Sequence, residues 1–387
     1  MRATPVIAGA GGTPVRDGDD ETPVLELVAK ALDEATTDAN VSPDAIDGLV
    51  TNMGAPLSVD YHPLCTALGL DVRFAHQTWS HGRFVGPALQ LAAMAVAHGL
   101  AECVAVGAGV SFGNVSHLGG GESVTLQDAE HAERPWYGMT APVAGNALSA
   151  RYYMERYGAT SRDLAHIART FRHHASLNPR AQFTDPLELS EHQSSRKIVD
   201  PLRLLDCSPR SSGAAFLIVR RADALDSGSE SGVSIIAMEG LHAGREEYLF
   251  ARPGMGVRTQ AASGYDADTH VGHVYDRAGI DRSDVDGLYT YDAFTPNVWY
   301  TLERWGFCEP GTAFEFTRDG NVGLDGQLPM NTNGGLLSEG HVSGWNHFVE
   351  MYRQLRGEAG ERQLPDVEIL QWATPFGDTL VLQGDGR

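Results

Sequence analysis

The sequence predicts a mixed α/β fold built from two similar halves, and three observations point there. Strand-like apolar runs alternate with helical patterns along most of the chain, which implies sheets covered by helices on both faces. A helix–turn–strand unit occurs twice, once in each half. The composition suits a large packed core: 387 residues, 42% of them hydrophobic, with 44 glycines and 19 prolines dispersed along the length.

Taken in order, Val6–Gly9 reads as a short buried strand, followed by a turn at Gly11-Gly12-Thr13-Pro14. The spacing Gly9-x-Gly11 starts like a dinucleotide fingerprint, but the third glycine is missing and Pro14 stands in its place, so no dinucleotide site is expected. Val24, Leu27, Val28, Ala31, Leu32 and Ala35 recur at helical spacing and predict an amphipathic helix from about Thr22 to Ala39. A turn from Ser42 leads into a strand ending near Thr51. The loop Trp79-Ser80-His81-Gly82 opens an apolar helix from Phe84 to His98, and a strand at Cys103–Gly107 follows.

The second half repeats the pattern. A helix near Asp268–Ala278 leads through Asp281-Arg282-Ser283-Asp284 into a strand at Thr290, and Ile46/Val285, Asp47/Asp286, Gly48/Gly287, Leu49/Leu288 and Thr51/Thr290 align without gaps. Gly334–Gly344 opens a helix to about Leu355, and strands are expected at Val367–Trp372 and Leu380–Leu382. The segment from about Phe112 to Leu205 differs in character, with Gly119-Gly120-Gly121, helical patterns at Ala144–Tyr157 and Ser161–Leu177, and a polar connection through Phe183–Lys197. It reads as an inserted subdomain on the rim of the core. The expected domains are thus 1–111 with 206–262, the insertion 112–205, and 263–387.

Charge excludes one class of partner. Fifty acidic side chains oppose 29 basic ones for a net of −21, Lys30 and Lys197 are the only lysines, and no basic cluster could displace counterions from nucleic acid. No apolar window approaches a membrane span and the N-terminus lacks a signal-peptide core, so a cytosolic protein is expected. Cys65, Cys103, Cys207 and Cys308 lie far apart and predict four reduced thiols, with neither a zinc ribbon nor a disulfide framework. His173-His174 and His270-x-x-His273 have no carboxylate or thiol at ligand spacing, and exposed or capping histidines are expected there rather than a metal site.

Four segments carry a resemblance to a family: Ile7-Ala8-Gly9-Ala10-Gly11-Gly12-Thr13-Pro14, Pro201-Leu202-Arg203-Leu204-Leu205-Asp206-Cys207-Ser208, Tyr291-Asp292-Ala293-Phe294-Thr295, and Asn331-Thr332-Asn333-Gly334-Gly335-Leu336-Leu337-Ser338-Glu339-Gly340-His341. The chain resembles the thiolase superfamily, particularly the sterol-carrier-type thiolases and the steroid side-chain-cleaving aldolases. That resemblance implies a five-layer αβαβα fold of two halves, usually dimeric. A thiolase places its nucleophilic cysteine at the start of a buried helix. Here Trp79 stands at that position, and the second thiol loop reads Trp372-Ala373-Thr374-Pro375-Phe376-Gly377.

With both thiols replaced, the resemblance leaves Tyr291 and His341 as the catalytic candidates, and Trp79, Ser80, His81, Phe376 and Gly377 as substrate-binding residues. A phenol and an imidazole can run a retro-aldol cleavage without a covalent intermediate, provided that Tyr291, a poor base on its own, gains a hydrogen bond from His341 or another donor. The sequence therefore predicts a homodimeric, thiolase-fold carbon–carbon lyase for a bulky, steroid-type β-hydroxyacyl-CoA. Coenzyme A enters as part of the substrate and no cofactor is bound covalently. The resemblance also implies a small OB-fold partner bearing a zinc ribbon. Two alternatives stay open: an acyltransferase on β-ketoacyl-CoA, and a non-catalytic acyl-CoA-binding subunit. The sheet edge expected to need a second subunit lies near Cys103–Gly107.

Overall fold

A computed structural model describes residues 4–54, 59–79, 81–111, 142–225, 232–242 and 272–384. The first half contributes strands β1 (Pro5–Gly12), β2 (Arg16–Asp17), β3 (Gly48–Gly54), β4 (Phe74–Trp79) and β5 (Cys103–Ser111), with helices α1 (Val24–Asp38), α2 (Tyr61–Leu68) and α3 (Val85–Ala97). Helices α4 (Pro142–Tyr157), α5 (Ser161–Ser176) and α6 (Leu189–Ser194) follow, then strands β6 (Lys197–Val199), β7 (Leu202–Arg203), β8 (Ser211–Arg221) and β9 (Val233–Glu239). The remainder comprises α7 (Gly272–Ala278), β10 (Gly287–Tyr289), α8 (Pro296–Arg304), α9 (Ala313–Arg318), α10 (Gly335–Ser338), α11 (Trp345–Arg356), β11 (Ile369–Ala373) and β12 (Thr379–Gln383).

The strand order makes the duplication explicit. The first half runs β4-β3-β5-β8-β1 and the second β10-β11-β12-β9, with β1 and β9 pairing antiparallel to join them. Met330 bridges to Leu288 in parallel, standing beside β10 as β4 stands beside β3, so both halves follow one plan. Helices α3 and α11 each touch strands of both halves and form the middle layer, while α1 packs on the first half and α7 on the second. This is the layering that the resemblance implies.

The repeated residues do the same job twice. The Asp47 carboxylate accepts from the Glu102 and Cys103 amides (2.8 and 2.9 Å), and the Asp286 carboxylate accepts from those of Glu368 and Ile369 (2.8 and 2.9 Å). Each aspartate thereby fixes the start of the neighbouring parallel strand. In β1, which extends beyond the expected Gly9 to Gly12, the glycines serve close packing: a Cβ on Gly9 or Gly11 would overlap the backbone of α1 at Ala35 or Ala31.

One expectation is corrected. Strand β5 is no edge, since it lies between β3 and β8; among the described residues the outermost strand of the first half is β4. The described part of the insertion is closely packed. Tyr153 of α4 and Phe171 of α5 are fully buried, and these helices pack against α8, α9 and α10. Residues 112–141, including the triple glycine, lie outside the described residues. Among the described residues no helix is long and apolar enough to cross a membrane.

Candidate active site

Tyr291 leaves the end of β10 into the interior. The Thr290 amide donates to Asn331 Oδ1 (2.9 Å) and Asn297 Nδ2 donates to the Tyr291 carbonyl (3.0 Å), so the backbone on both sides is fixed. His341 lies between α10 and α11, and its amide donates to Ser211 Oγ (2.8 Å) at the head of β8. Gly340 has φ +124°, and a Cβ there would crowd Val15 and Ser211, so only glycine lets the loop come this close. These constraints bring Tyr291 Oη within 3.1 Å of His341 Nε2. Gly82 lies against the tyrosine ring, where any Cβ would overlap it. The rings of His81 and Phe376 stand 5.9 and 6.4 Å from that of Tyr291.

Burial sets the charge state of this pair. It pushes the Tyr291 phenol well above its ordinary value, with the Asp292 carboxylate adding to the effect. Burial also pushes His341 down to about 4. At neutral pH the pair is a protonated phenol beside a neutral imidazole, joined by a hydrogen bond whose donor is set by the imidazole tautomer. His81 is pushed down to about 3 by burial, then by Arg83 and His341. Its Nδ1 accepts from the Arg83 amide (3.1 Å), which caps the turn leading into α3.

A buried polar network supports the site from behind. Asp292 accepts from the Leu336 amide (2.9 Å) and contacts His347 Nε2 (3.1 Å), while His347 Nδ1 contacts Asn333 Oδ1 (3.1 Å). The Glu339 carboxylate accepts from Asn178 (3.1 Å), Asn346 (2.6 Å) and Asn333. Glu339, two residues before His341, is thus tied to Asn178, 161 positions away, and to Asn333 and Asn346, 6 and 7 positions away on either side. Asn52 links the two active loops, since its Nδ2 donates to the His81 carbonyl (3.3 Å) and its Oδ1 accepts from the Trp345 indole (2.6 Å).

No cysteine is poised as a nucleophile. Burial pushes the thiol of Cys103 up to about 11 and those of Cys207 and Cys308 up to about 12, and that of Cys65 also rises. Cys103 and Cys308 are buried, Cys65 and Cys207 half-buried.

Of the residues singled out in the sequence, Tyr291, His341, His81 and Phe376 converge. Gly377, at φ +98°, packs against His242 and Arg304 in the turn after β11, where a side chain would collide with both. Trp79 closes β4, and Ser80 lies outside the described residues. His174 corrects the expectation of exposure: it is fully buried, with Nδ1 3.3 Å from the Asn331 carbonyl. His173 and His273 are exposed, and His270 lies outside the described residues. Among the described residues no group of three or more histidine, cysteine or acidic side chains is arranged to hold a metal. The supporting residues Asn52, Ser211, Asp292, Glu339 and His347 were missed. The available signal was polarity in otherwise buried runs, as with Asn346, His347 and Glu350 in α11.

Comparisons with known proteins bear on the family and the fold. The model of the thiolase C-terminal domain-like family matches residues 256–374. Over 371 residues the chain is 34% identical to a steroid side-chain-cleaving aldolase of Thermomonospora curvata, covering 91% of this chain and 90% of the relative. The chain belongs to the thiolase superfamily. It is also 34% identical to the 17-hydroxy-3-oxo-4-pregnene-20-carboxyl-CoA lyase of Mycobacterium tuberculosis, over 86% of each protein. Among solved structures the Ltp2-ChsH2(DUF35) aldolase superposes with a TM-score of 0.86 at 30% identity, covering 100% of this chain and 99% of the other. Within the superfamily, then, the chain stands with thiolase-like aldolases. In this frame the loop before α3 and the loop after β11, which hold thiols in thiolases, here surround a tyrosine and a histidine.

Proposed function

We propose that the protein is a thiolase-fold lyase that cleaves a bulky, steroid-type β-hydroxyacyl-CoA by a retro-aldol reaction. The observation that carries this reading is the neutral Tyr291–His341 pair, 3.1 Å apart and buried between the loops that hold thiols in other members of the superfamily. The phenol oxygen takes the proton of the substrate β-hydroxyl while the phenol proton passes to His341 Nε2. The bond between the α and β carbons breaks, the β carbon leaves as a ketone, and the electron pair passes into the thioester as an enolate. The same proton then returns by the relay to the α carbon, giving a shorter acyl-CoA. Atoms balance without an external oxidant, reductant or free CoA.

The names of the relatives support the substrate class and a small partner protein. We assign Trp79, Ser80, His81, Phe376 and Gly377 to the substrate-binding surface, take the partner to be of the OB-fold, zinc-ribbon type, and place the assembly in the cytoplasm. The open edge at β4 favours a homodimer formed by pairing with the same strand of a second copy. The test is to incubate the protein, with and without the partner, with β-hydroxyacyl-CoA and β-ketoacyl-CoA thioesters. A ketone plus a shorter acyl-CoA from the hydroxy substrate, formed without free CoA, is the expected result. Turnover of the keto substrate alone, dependent on free CoA, would make the protein a thiolase instead.

A further inference from the structure

We propose that His81 is a catalytic hydrogen-bond donor whose Nε2–H holds the thioester oxygen as negative charge builds on it. The inference rests on the lyase reading and adds the group that receives the charge. Its first support is the tautomer. The Arg83 amide donates to His81 Nδ1 at 3.1 Å, so Nδ1 carries a lone pair and the ring proton sits on Nε2, the nitrogen remote from the backbone. The second support is constancy. Burial pushes the ring down to about 3, so near neutral pH it is uncharged and keeps one N–H to donate.

The third support is placement. The His81 ring lies 5.9 Å from that of Tyr291, and Gly82, the next residue, packs on the face of the tyrosine. His81 also stands one turn ahead of α3, whose N-terminal end favours negative charge. The backbone is gripped as well as the ring, since the carbonyl accepts from Asn52 Nδ2 (3.3 Å) and from the Phe84 amide (2.9 Å). A donor held this firmly requires no reorganisation when charge develops. The division of labour follows from the chemistry of the groups. The β-hydroxyl must give up a proton, which the Tyr291–His341 relay can accept. The thioester oxygen gains charge and needs a donor that keeps its own proton. No bond to hydrogen breaks at His81 during the cycle.

Three variants separate the two nitrogens. In His81→Gln the side-chain amide can stand near the place of Nε2, in His81→Asn near that of Nδ1, and His81→Ala removes both. Loss of one oxyanion donor costs about 100- to 1,000-fold in kcat. The expected result is that size of loss in His81→Ala and His81→Asn, with KM changed little, and recovery of most of it in His81→Gln. Rescue by Asn and not by Gln would assign His81 to capping its own turn and overturn the proposal, as would near-wild-type kcat in His81→Ala. A second readout is independent of turnover: binding of a CoA analogue in which a nitronate replaces the thioester enolate. Its affinity should fall in His81→Ala and return in His81→Gln. If this pattern holds in a protein that cleaves no β-hydroxyacyl-CoA, the oxyanion role stands and the lyase reading fails. Equal nitronate affinity in wild type and His81→Ala would remove the oxyanion role even if the lyase is active.

Discussion

Tyr291→Phe removes one oxygen and keeps the ring against Gly82, so packing is preserved while the relay is cut. His341→Ala removes the acceptor. Each change is expected to lower kcat by about two to four orders of magnitude, the range for a positioned proton-transfer group, with the fold retained by circular dichroism. Because the two groups form one relay, the double variant should be scarcely slower than the worse single one. Steady-state kinetics on the four proteins makes the comparison, and full additivity would split the pair into two independent roles. Both residues were singled out through the resemblance of the segments Tyr291–Thr295 and Asn331–His341 to the family's loops, and the structure brings the two side chains together. Their partners were not singled out. Ser211 and Asn52 act through contacts made 130 and 29 positions away in the chain, to His341 and His81, and their one local mark, a polar side chain in a buried strand, does not say what it touches. The charge state was likewise out of reach, since the sequence suggested activation of the Tyr291 phenol whereas burial holds it protonated.

At the level of elements, periodicity located most helices and strands within a few residues, and the repeat at Asp47 and Asp286 identified the duplication correctly. The misplaced edge has a plain cause. β5 and β8 are both almost wholly buried strands, and an apolar run carries no sign of how many neighbours it has. In the insertion, helix α4 docks through Tyr153 onto Glu303 of α8. Burial raises the Glu303 carboxyl to about 7, against an ordinary value of 4.5. The folded state therefore holds a proton that the unfolded chain releases between pH 4.5 and 7, so this group's contribution to stability is full at low pH and is lost as pH rises through that window. Glu303→Gln cannot ionise. Its Tm relative to wild type should increase between pH 5 and pH 8, as scanning calorimetry would read. A difference that stays constant across that range would mean that Glu303 is ionised in the folded protein throughout.

At the scale of the whole molecule the two ends of the sheet differ among the described residues. Met330 covers β10, whereas β4 presents its outer edge with Ala75 and His76 exposed. Sheet edges of this kind are usually paired or blocked. The protein should accordingly be a homodimer by light scattering at micromolar concentration, and Ala75→Lys, which places a charge on that exposed edge, should shift it toward monomer. A wild-type monomer at that concentration would assign another cover to β4. The central claim, cleavage of a carbon–carbon bond without a thiol, is tested most directly by one measurement. The protein is alkylated with iodoacetamide, combined with its partner and a β-hydroxyacyl-CoA in D2O, and the products are weighed by mass spectrometry. The account predicts undiminished formation of ketone and of a shorter acyl-CoA carrying one deuterium at the α carbon. Loss of cleavage in proportion to modification of a single cysteine would contradict it.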